Sequence, residues 1–255
     1  ALTGVEHLTS AGGVETVNLS SDTGLTSVDL GLGFHVLNLA PGDHILSVAN
    51  VFELNSFGTH DDTIDFDAGS VVNQTFNLGF GNDVLNLTGA NAQLSMSISG
   101  GSNIGGSMTV NDATAGRDLD LNLWNTQAGA LFDLGDGNDT LHLFTDPDGF
   151  TSAVSVTNVE TVVGSNNSDA ITIVGSSNET MVMGGWGADF ITAGSGVDNF
   201  GFASIADSAW GPGRDQVTDF DANGDQFVFI GMNESPSNVT GFRGGSIDFI
   251  GAGDG

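Results

Sequence analysis

The chain of 255 residues contains no cysteine, no tyrosine and no lysine. Three arginines (Arg117, Arg214 and Arg243) and five histidines stand beside 32 acidic residues, and the formal net charge is −29. A charge of this sign and size repels nucleic acid and anionic membrane surfaces. Without disulfides, a secreted form must be stabilised by size, by metal ions or by assembly. No run of 18 apolar residues occurs, so we expect no membrane-spanning helix.

The composition nevertheless favours an ordered protein. Apolar residues make up 39% of the chain, whereas disordered acidic chains are poor in such residues. Nearly all the acids are aspartates, which suit turns, and only six are glutamates, which suit helices. The 39 glycines also indicate many turns.

Short apolar pairs recur at a spacing of about nine residues. The stretch LGFGNDVLNL at 78–87 returns as LGDGNDTLHL at 134–143 and, less regularly, as FGTHDDTIDF at 57–66. Two apolar residues spaced two apart are typical of a short strand, and the Gly, Asn, Asp and Ser between them are typical of turns. The pairs are Val28/Leu30, Leu37/Leu39, Leu46/Val48, Phe76/Leu78, Leu85/Leu87, Leu94/Met96, Phe132/Leu134, Leu141/Leu143, Ile171/Ile173, Met181/Met183 and Phe200/Phe202, with Ile191 alone.

This repetition predicts an all-β solenoid, a right-handed parallel β-helix or β-roll with short rungs and a C-terminal cap. Two strand-and-turn units would form one coil of about 18 residues, with about a dozen coils stacked along the chain. We expect degenerate rungs over 1–163, a regular β-roll over 164–202 and a capping segment over 203–255, together one continuous solenoid. Because the chain starts without methionine and ends within its pattern, we expect a fragment of a longer precursor.

The segment 164–202 divides into GSNNSDAIT, GSSNETMVM, GGWGADFIT and AGSGVDNFG. It resembles the repeats-in-toxin (RTX) family, whose calcium-binding nonapeptide is GGxGxDxUx, where U is a large apolar residue. GGWGADFIT matches every defined position, AGSGVDNFG lacks the first glycine, and LGFGNDVLN and LGDGNDTLH each lack one glycine. The resemblance implies a β-roll that binds several calcium ions.

The spacing of the acids suits calcium. Turns 18 to 20 residues apart should stack on one edge, which would place Asp169 over Asp189 and Glu179 over Asp198. Carboxylates and backbone carbonyls of two stacked turns would supply about six oxygen ligands, as calcium prefers, whereas magnesium fits less well and zinc or copper is not favoured. The alternative is that these are simply solvated Gly-Asn-Asp turns. The predicted metal residues are Asp189, Asp198, Asp169, Glu179, Asp83, Asp139, Asp62, Gly184, Gly185, Gly187, Gly194, Gly196, Gly79, Gly81, Gly135 and Gly137.

The segment 199–232 is similar to the end of the calcium-binding C-terminal module of serralysin-type metalloproteases. The residues that carry this likeness are Asp215, Asp219, Phe220, Gly224, Asp225, Phe227 and Phe229. They should cap the open end of the roll. DFDANGDQFVFI at 219–230 also resembles an EF-hand loop, but Ile230 stands where that loop needs a bidentate glutamate.

No catalytic constellation is found, because HExxH and GxSxG are absent and the five histidines are scattered. We therefore expect no enzyme, no catalytic residue and no cofactor except calcium. Trp124, Trp186 and Trp210 are expected to be packed or half exposed.

The leading hypothesis is an extracellular structural protein of a bacterial surface layer, fibre or biofilm matrix that folds and self-associates on calcium binding. Its VET rungs at 13–17 and 158–162 resemble those of surface-layer proteins that bear these repeats. The second hypothesis is a folding and export module of a secreted protease or polysaccharide-modifying enzyme. A carbohydrate-binding adhesin is the third, with cell-surface polysaccharide as partner. The family resemblance implies type I secretion, with location outside the cell or on its surface.

Overall fold

The computed structural model describes residues 5–20, 24–67, 69, 73–90, 93–99, 107–124, 129–144, 152–175, 179–204, 206–208 and 213–230. In these ranges the protein consists of 22 short strands in two parallel sheets of eleven strands each, and contains no helix. Odd-numbered strands form sheet 1 and even-numbered strands form sheet 2, so the chain alternates between the sheets and each strand pairs with the strand two further along. The predicted parallel β-solenoid is therefore confirmed, with eleven coils.

Sheet 1 consists of β1 (His7–Thr9), β3 (Ser27–Asp29), β5 (Ile45–Ala49), β7 (Thr63–Asp67), β9 (Asn82–Thr88), β11 (Ser107–Asp112), β13 (Ala130–Asp133), β15 (Ala153–Thr157), β17 (Ala170–Ile173), β19 (Phe190–Thr192) and β21 (Gln216–Thr218). Sheet 2 consists of β2 (Thr16–Asn18), β4 (Val36–Asn38), β6 (Glu53–Asn55), β8 (Gln74–Asn77), β10 (Gln93–Ser99), β12 (Asp118–Trp124), β14 (Thr140–Phe144), β16 (Thr161–Val163), β18 (Thr180–Met183), β20 (Asp198–Phe202) and β22 (Gln226–Phe229).

The core is a single apolar column between the two sheets. Side chains alternate in and out along each strand, as a pleated strand requires. Both members of every predicted apolar pair except one are buried, and Ile191 is buried too. Parallel pairing stacks the apolar side chains of successive coils on one another, for example Leu85 on Ile64 and Val110 on Leu85. One coil alone could not bury its apolar face, so the stacking of coils produces the core.

The exception is Met181/Met183, where the sequence prediction is wrong by one residue. In β18 the buried residues are Thr180 and Val182, and both methionines face outward. Because side chains alternate with a period of two, a shift of one residue reverses every side chain in the strand. The shift also places Glu179, which directly precedes this strand, on the outside of the solenoid.

Turns lie along two edges of the solenoid. We call edge 1 the turns that lead from sheet 1 to sheet 2, and edge 2 the turns that lead back. Polar side chains on the outer faces form rows that run from coil to coil: the Asn38 amide donates to Asn18 Oδ1 at 2.7 Å, and the Asn55 amide donates to Asn38 Oδ1 at 2.9 Å. These rows help to fix the register of strands whose apolar faces look alike.

The last strands of the two sheets, β21 and β22, pair with β19 and β20 in the same parallel sense as the rest. Phe220 and Phe227 stack on each other with ring centroids 4.9 Å apart and cover the end of the apolar column. The final residues of the predicted capping segment, 231–255, lie outside the described part, as does Trp210. In the described ranges, no helix is long and apolar enough to cross a bilayer.

Candidate metal centre

The aspartates of the repeat turn inward instead of facing solvent. Each one lies directly before a strand or is the first or second residue of a strand. Its side chain enters the space between stacked turns. Asp62, Asp139 and Asp198 are completely buried, and Asp83, Asp169 and Asp189 are 1% exposed. Simple solvated turns would leave these carboxylates in water, so that alternative does not describe the structure.

On edge 2, aspartates of successive coils are joined in a ladder. Asp169 N donates to Asp189 Oδ1 at 2.9 Å, and Asp189 N donates to Asp215 Oδ1 at 3.0 Å. The predicted placement of Asp169 over Asp189 is thus confirmed, and Asp215 extends the column into the C-terminal segment. Each carboxylate reaches back one coil and accepts the backbone N–H just before the neighbouring strand.

The same contact joins Asp62 and Asp83, two further members of edge 2. Asp62 N donates to Asp83 Oδ1 at 3.0 Å. Here the column ends on His44, whose backbone N–H lies 3.0 Å and whose Nδ1 lies 2.8 Å from Asp62 Oδ1. Edge 2 therefore has two separate groups of aspartates.

Edge 1 carries the remaining predicted aspartates. Asp198 N donates to Asp225 Oδ1 at 3.0 Å, while Asp198 Oδ2 accepts the Gly194 N–H at 2.8 Å. Further back, Asp139 Oδ1 accepts the Leu119 N–H at 2.7 Å. Asp189 and Asp198 are consequently on opposite edges and belong to different columns.

Glu179 does not stack on Asp198. The register pairs Thr180 with Asp198, so Thr180 occupies the inward position and Glu179 is exposed. On the surface the Glu179 carboxylate accepts a hydrogen bond from the Asn199 amide. The cause is the shift of one residue in β18: the distance from Glu179 to Asp198 is one residue longer than the coil at this point.

Glycines allow the turns to stack closely enough for carbonyl oxygens to enter the gap. Gly185 and Gly187 have φ values of 90° and 134°, which favour glycine. A Cβ at Gly187 would lie 2.6 Å from the Asn167 carbonyl oxygen, and one at Gly185 would collide with the Ser165 carbonyl oxygen. These two oxygens of the preceding coil therefore point at the turn that contains Asp189.

Other glycines of the motif make the same approach. Gly79, Gly81, Gly135 and Gly137 each press against a backbone carbonyl of the coil before, and Gly184 lies against the Asp189 carboxylate itself. Gly196 is different, because its own carbonyl faces Gly224 of the following coil. Backbone carbonyls of one coil thus lie close to the glycines of the next coil.

Several of the buried carboxylate oxygens accept no hydrogen bond from any residue that the structure describes. They are Asp62 Oδ2, Asp83 Oδ2, Asp139 Oδ2, Asp189 Oδ2 and Asp198 Oδ1. A buried acceptor without a donor destabilises a protein by about 1–3 kcal/mol, and more when it is charged. A proton, a cation or a bound water would satisfy each of these oxygens.

Burial has a corresponding effect on acidity. Loss of hydration raises the pKa of Asp83, Asp139 and Asp215 to about 7 and that of Asp189 to about 8, although backbone hydrogen bonds oppose the shift. Burial also raises the pKa of Asp169 and Asp198. Near neutral pH, a cation would therefore compete with protons for these sites.

The available donors fit a hard cation such as calcium. Where the structure is described, no three His, Cys, Asp or Glu side chains converge on one point. A site in these turns would combine one or two carboxylates with backbone carbonyls, which is an all-oxygen set of the kind calcium uses. In the turn of Asp189, the nearby carbonyls are those of Ser165 and Asn167, which lie close to Gly185 and Gly187, and the Ser165 oxygen also accepts the Trp186 N–H at 3.1 Å.

Asp169 differs from Asp189 because serine satisfies it. Ser165 N donates to Asp169 Oδ2 at 2.7 Å, and the Ser165 hydroxyl lies 3.2 Å from Asp169 Oδ1. Gly185 stands at the corresponding place in the next coil and offers no hydroxyl. The turn that matches the nonapeptide fully thus leaves its carboxylate incompletely satisfied, as the turns of Asp62, Asp83, Asp139 and Asp198 also do.

Sequence reasoning missed a buried cation, Arg117, in an edge 1 turn. Its side chain is 1% exposed, and it binds Asp112 through Nε at 2.8 Å and Nη2 at 2.6 Å. Nη1 donates to the Thr88 carbonyl of the preceding coil at 3.0 Å. A carboxylate from one turn and a carbonyl from the turn below hold the guanidinium, as they would hold a metal ion. The only available signal was a rare arginine within an acidic repeat.

Two histidines were also missed at the place of the aspartate. His35 directly precedes β4 and His44 directly precedes β5, and both are buried. The Glu15 carboxylate lies 4.0 Å from His35 Nδ1. In the first coils, imidazoles thus occupy positions that carboxylates occupy later.

Comparisons with protein-family models, with curated proteins and with solved structures give no match.

Proposed function

We propose that this protein is a calcium-dependent extracellular structural protein of a bacterial surface layer, fibre or biofilm matrix, which folds and assembles on calcium binding after secretion. The observation that carries the proposal is Asp189 Oδ2, a buried carboxylate oxygen without a donor in a glycine turn lined by carbonyls. The similar oxygens of Asp62, Asp83, Asp139 and Asp198 extend the argument along the solenoid.

The coupling of folding to calcium follows from linkage. Extracellular calcium modules have dissociation constants of about 10⁻⁴ to 10⁻³ M, so such sites are empty where calcium is scarce and filled at millimolar calcium. Each filled site would then stabilise the fold by roughly 1 kcal/mol. Before binding, the charge of −29 opposes compaction.

A structural role is favoured because the repeat extends over both sheets from β1 to β22. Neither HExxH nor GxSxG interrupts the repeat in the sequence. A continuous rod with regular outer faces suits self-assembly better than enzymatic catalysis.

A second candidate is a folding and export module of a secreted enzyme. The observation that favours it is the continuation of both aspartate columns, through Asp215 and Asp225, into the segment that resembles the serralysin module. An upstream catalytic domain in the complete gene would support this candidate.

A calcium titration of the chelator-treated chain, followed by far-UV circular dichroism and light scattering, tests the proposal. We expect the turns that need calcium to convert from coil to β-structure at submillimolar to millimolar calcium, with growth in particle size, while turns that contain an internal cation stay folded in chelator. Conversion without growth supports the export module instead. An unchanged β-signal in excess chelator contradicts calcium-coupled folding for both candidates.

A further inference from the structure

Two aromatic side chains lie together on the outer face of sheet 2. Trp124 on β12 and Phe144 on β14 are direct partners in the sheet register, and they are 39% and 37% exposed. Their rings are stacked, with centroids 4.6 Å apart and an angle of 12° between the planes. Two stacked aromatic rings in register on one sheet face form a contiguous apolar patch, and such patches mark interaction sites.

Each ring uses only one face in this stack. On the far side of Trp124, the register places Ser99, a small residue. On the far side of Phe144 lies a recess of about 180 Å³, which Gly164 and Ser165 border. Among the described residues, small side chains stand on both sides of the pair, which leaves room for a flat ligand surface against either ring.

Hydrogen-bonding groups lie beside the aromatic pair. His142 borders the recess, and its Nε2 lies 3.4 Å from Asp120 Oδ1. His142 also borders a second groove of about 480 Å³ on the same face, where Gln93 and Asn138 add amides. Amides both donate and accept, and carboxylates accept, which suits a ligand covered with hydroxyl groups. We call Trp124, Phe144, His142, Asp120 and the two grooves the aromatic strip.

Charge selects among the ligands that can stack on an aromatic ring. Nucleic-acid bases stack on such rings, but their phosphates would meet Asp118, Asp120 and a net charge of −29. Acidic polysaccharides are repelled for the same reason. A sugar ring offers an apolar face of C–H groups to the aromatic ring and hydroxyls to the polar groups at its rim, without charge.

We propose that the aromatic strip binds a neutral saccharide chain. One sugar ring lies against the outer face of Phe144 above Gly164, and its hydroxyls bond His142 and Asp120. The neighbouring units follow the groove along sheet 2. Trp124, Phe144, His142 and Asp120 belong to strands and are not among the predicted calcium ligands, although Gly164 and Ser165 at the border of the recess belong to the turn of Asp169.

The test is binding of the labelled, folded chain to an array of neutral and acidic glycans in millimolar calcium, followed by affinity electrophoresis in gels that contain a neutral polysaccharide from the positive group. We expect neutral glycans to bind. Trp124→Ala and Phe144→Ala should each weaken binding at least about tenfold, and Trp124→Phe should retain most of it. Phe57→Ala, which removes an aromatic ring that is 57% exposed in the turn between β6 and β7, should leave binding unchanged.

Circular dichroism of each variant shows whether the fold is intact, and only folded variants are compared. Binding to acidic glycans alone, no binding to any neutral glycan, or neutral binding that survives the Trp124→Ala/Phe144→Ala double substitution would each overturn the proposal. None of these outcomes bears on the calcium titration.

Discussion

Two turns of the solenoid, residues 112–117 and residues 184–189, each enclose a buried aspartate between coils. In the first, the Arg117 guanidinium binds both oxygens of Asp112 and a carbonyl of the coil below. In the second, Asp189 has one oxygen bonded to the Asp169 N–H and the other without a donor. The first turn contains its own cation, whereas the second has the ligands for one but no cationic side chain.

A carboxylate buried in the interior of these turns requires a partner for each of its oxygens. A carboxylate in this position is stabilised by an internal guanidinium, by serine donors as at Asp169, or, we propose, by calcium. Folding of the 112–117 turn should then be independent of calcium, and folding of the 184–189 turn should depend on it. The following predictions test this contrast, starting with the largest expected effect.

Replacing Arg117 by methionine removes the internal cation and leaves Asp112 buried and unpaired. Breaking a buried ion pair from one side destabilises by about 3–5 kcal/mol, so we expect a loss of that size in urea unfolding in chelator and in calcium. The Arg117→Met/Asp112→Asn double variant is the control and should recover a large part of the loss. A loss below about 1 kcal/mol would show that the pair does not hold the turn together.

The stability of the calcium-free protein should fall as pH rises. Because burial raises the pKa of Asp189 to about 8 and of Asp83 to about 7, the folded chain holds protons that the unfolded chain releases above the ordinary aspartate pKa of 3.8. This stabilisation is fully present below that ordinary pKa and is lost as pH approaches 8. Urea midpoints in chelator at pH 5 and pH 8 check the direction.

In calcium the same groups exchange protons for ions, so the dependence on pH should weaken or reverse. Equal urea midpoints at pH 5 and pH 8 in chelator, or a higher midpoint at pH 8, would contradict the inward, protonated state of these aspartates.

Gly187→Ala should destabilise the folded state by about 1–3 kcal/mol, because the new Cβ meets the Asn167 carbonyl oxygen at 2.6 Å in a backbone conformation that favours glycine. Gly175→Ala is the matched control, since its φ is also positive, at 53°, but nothing lies within 4 Å of its Cβ. In calcium, the melting temperature of Gly175→Ala should be clearly higher than that of Gly187→Ala. Equal melting temperatures would contradict the close stacking of turns.

Asp189→Asn should change stability in opposite directions in the two conditions. Its side-chain oxygen can still accept the Asp169 N–H, but the buried charge is gone, so the variant should be about 1 kcal/mol more stable than wild type in chelator at pH 8. In calcium it should be less stable, because one ligand charge is lost. A destabilisation of equal size in both media would point to a purely structural role for Asp189.

Glu179→Gln should have the smallest effect. Its side chain is exposed and accepts a hydrogen bond from Asn199, which the amide oxygen of glutamine can also accept. A change within about 0.5 kcal/mol is expected for such a surface position, with no shift in the calcium midpoint. A clear shift of that midpoint would return Glu179 to the set of calcium ligands.

Much of the fold follows from the sequence because the repeat is redundant. The nine-residue spacing of pairs such as Leu85/Leu87 predicts strands, and the stacking of coils 20 residues apart predicts Asp169 over Asp189. The prediction fails at β18, because Thr180 and Met181 are both plausible inward residues and only the neighbouring strand decides the register. Local pattern cannot resolve a shift of one residue when a polar side chain takes a core position.

The candidate site was less predictable than the fold. The inward orientation of the carboxylates depends on the stacking of coils. The donors that satisfy Asp169 and Asp112 are Ser165 and Arg117 of the same turns, four and five residues away. Arg117 is an isolated arginine in the sequence, and its burial becomes evident only when Asp112 and Thr88 are placed around it. Donors within a turn therefore decide which buried carboxylates need an external ion.

The most direct test of the calcium account is hydrogen exchange, resolved by peptide, in calcium and in chelator at pH 8. We expect the amides of 184–192 to lose protection in chelator much more than those of 112–117, where Arg117 supplies the cation. Equal protection of the 184–192 amides in calcium and in chelator would contradict the claim that bound calcium holds the glycine turns together.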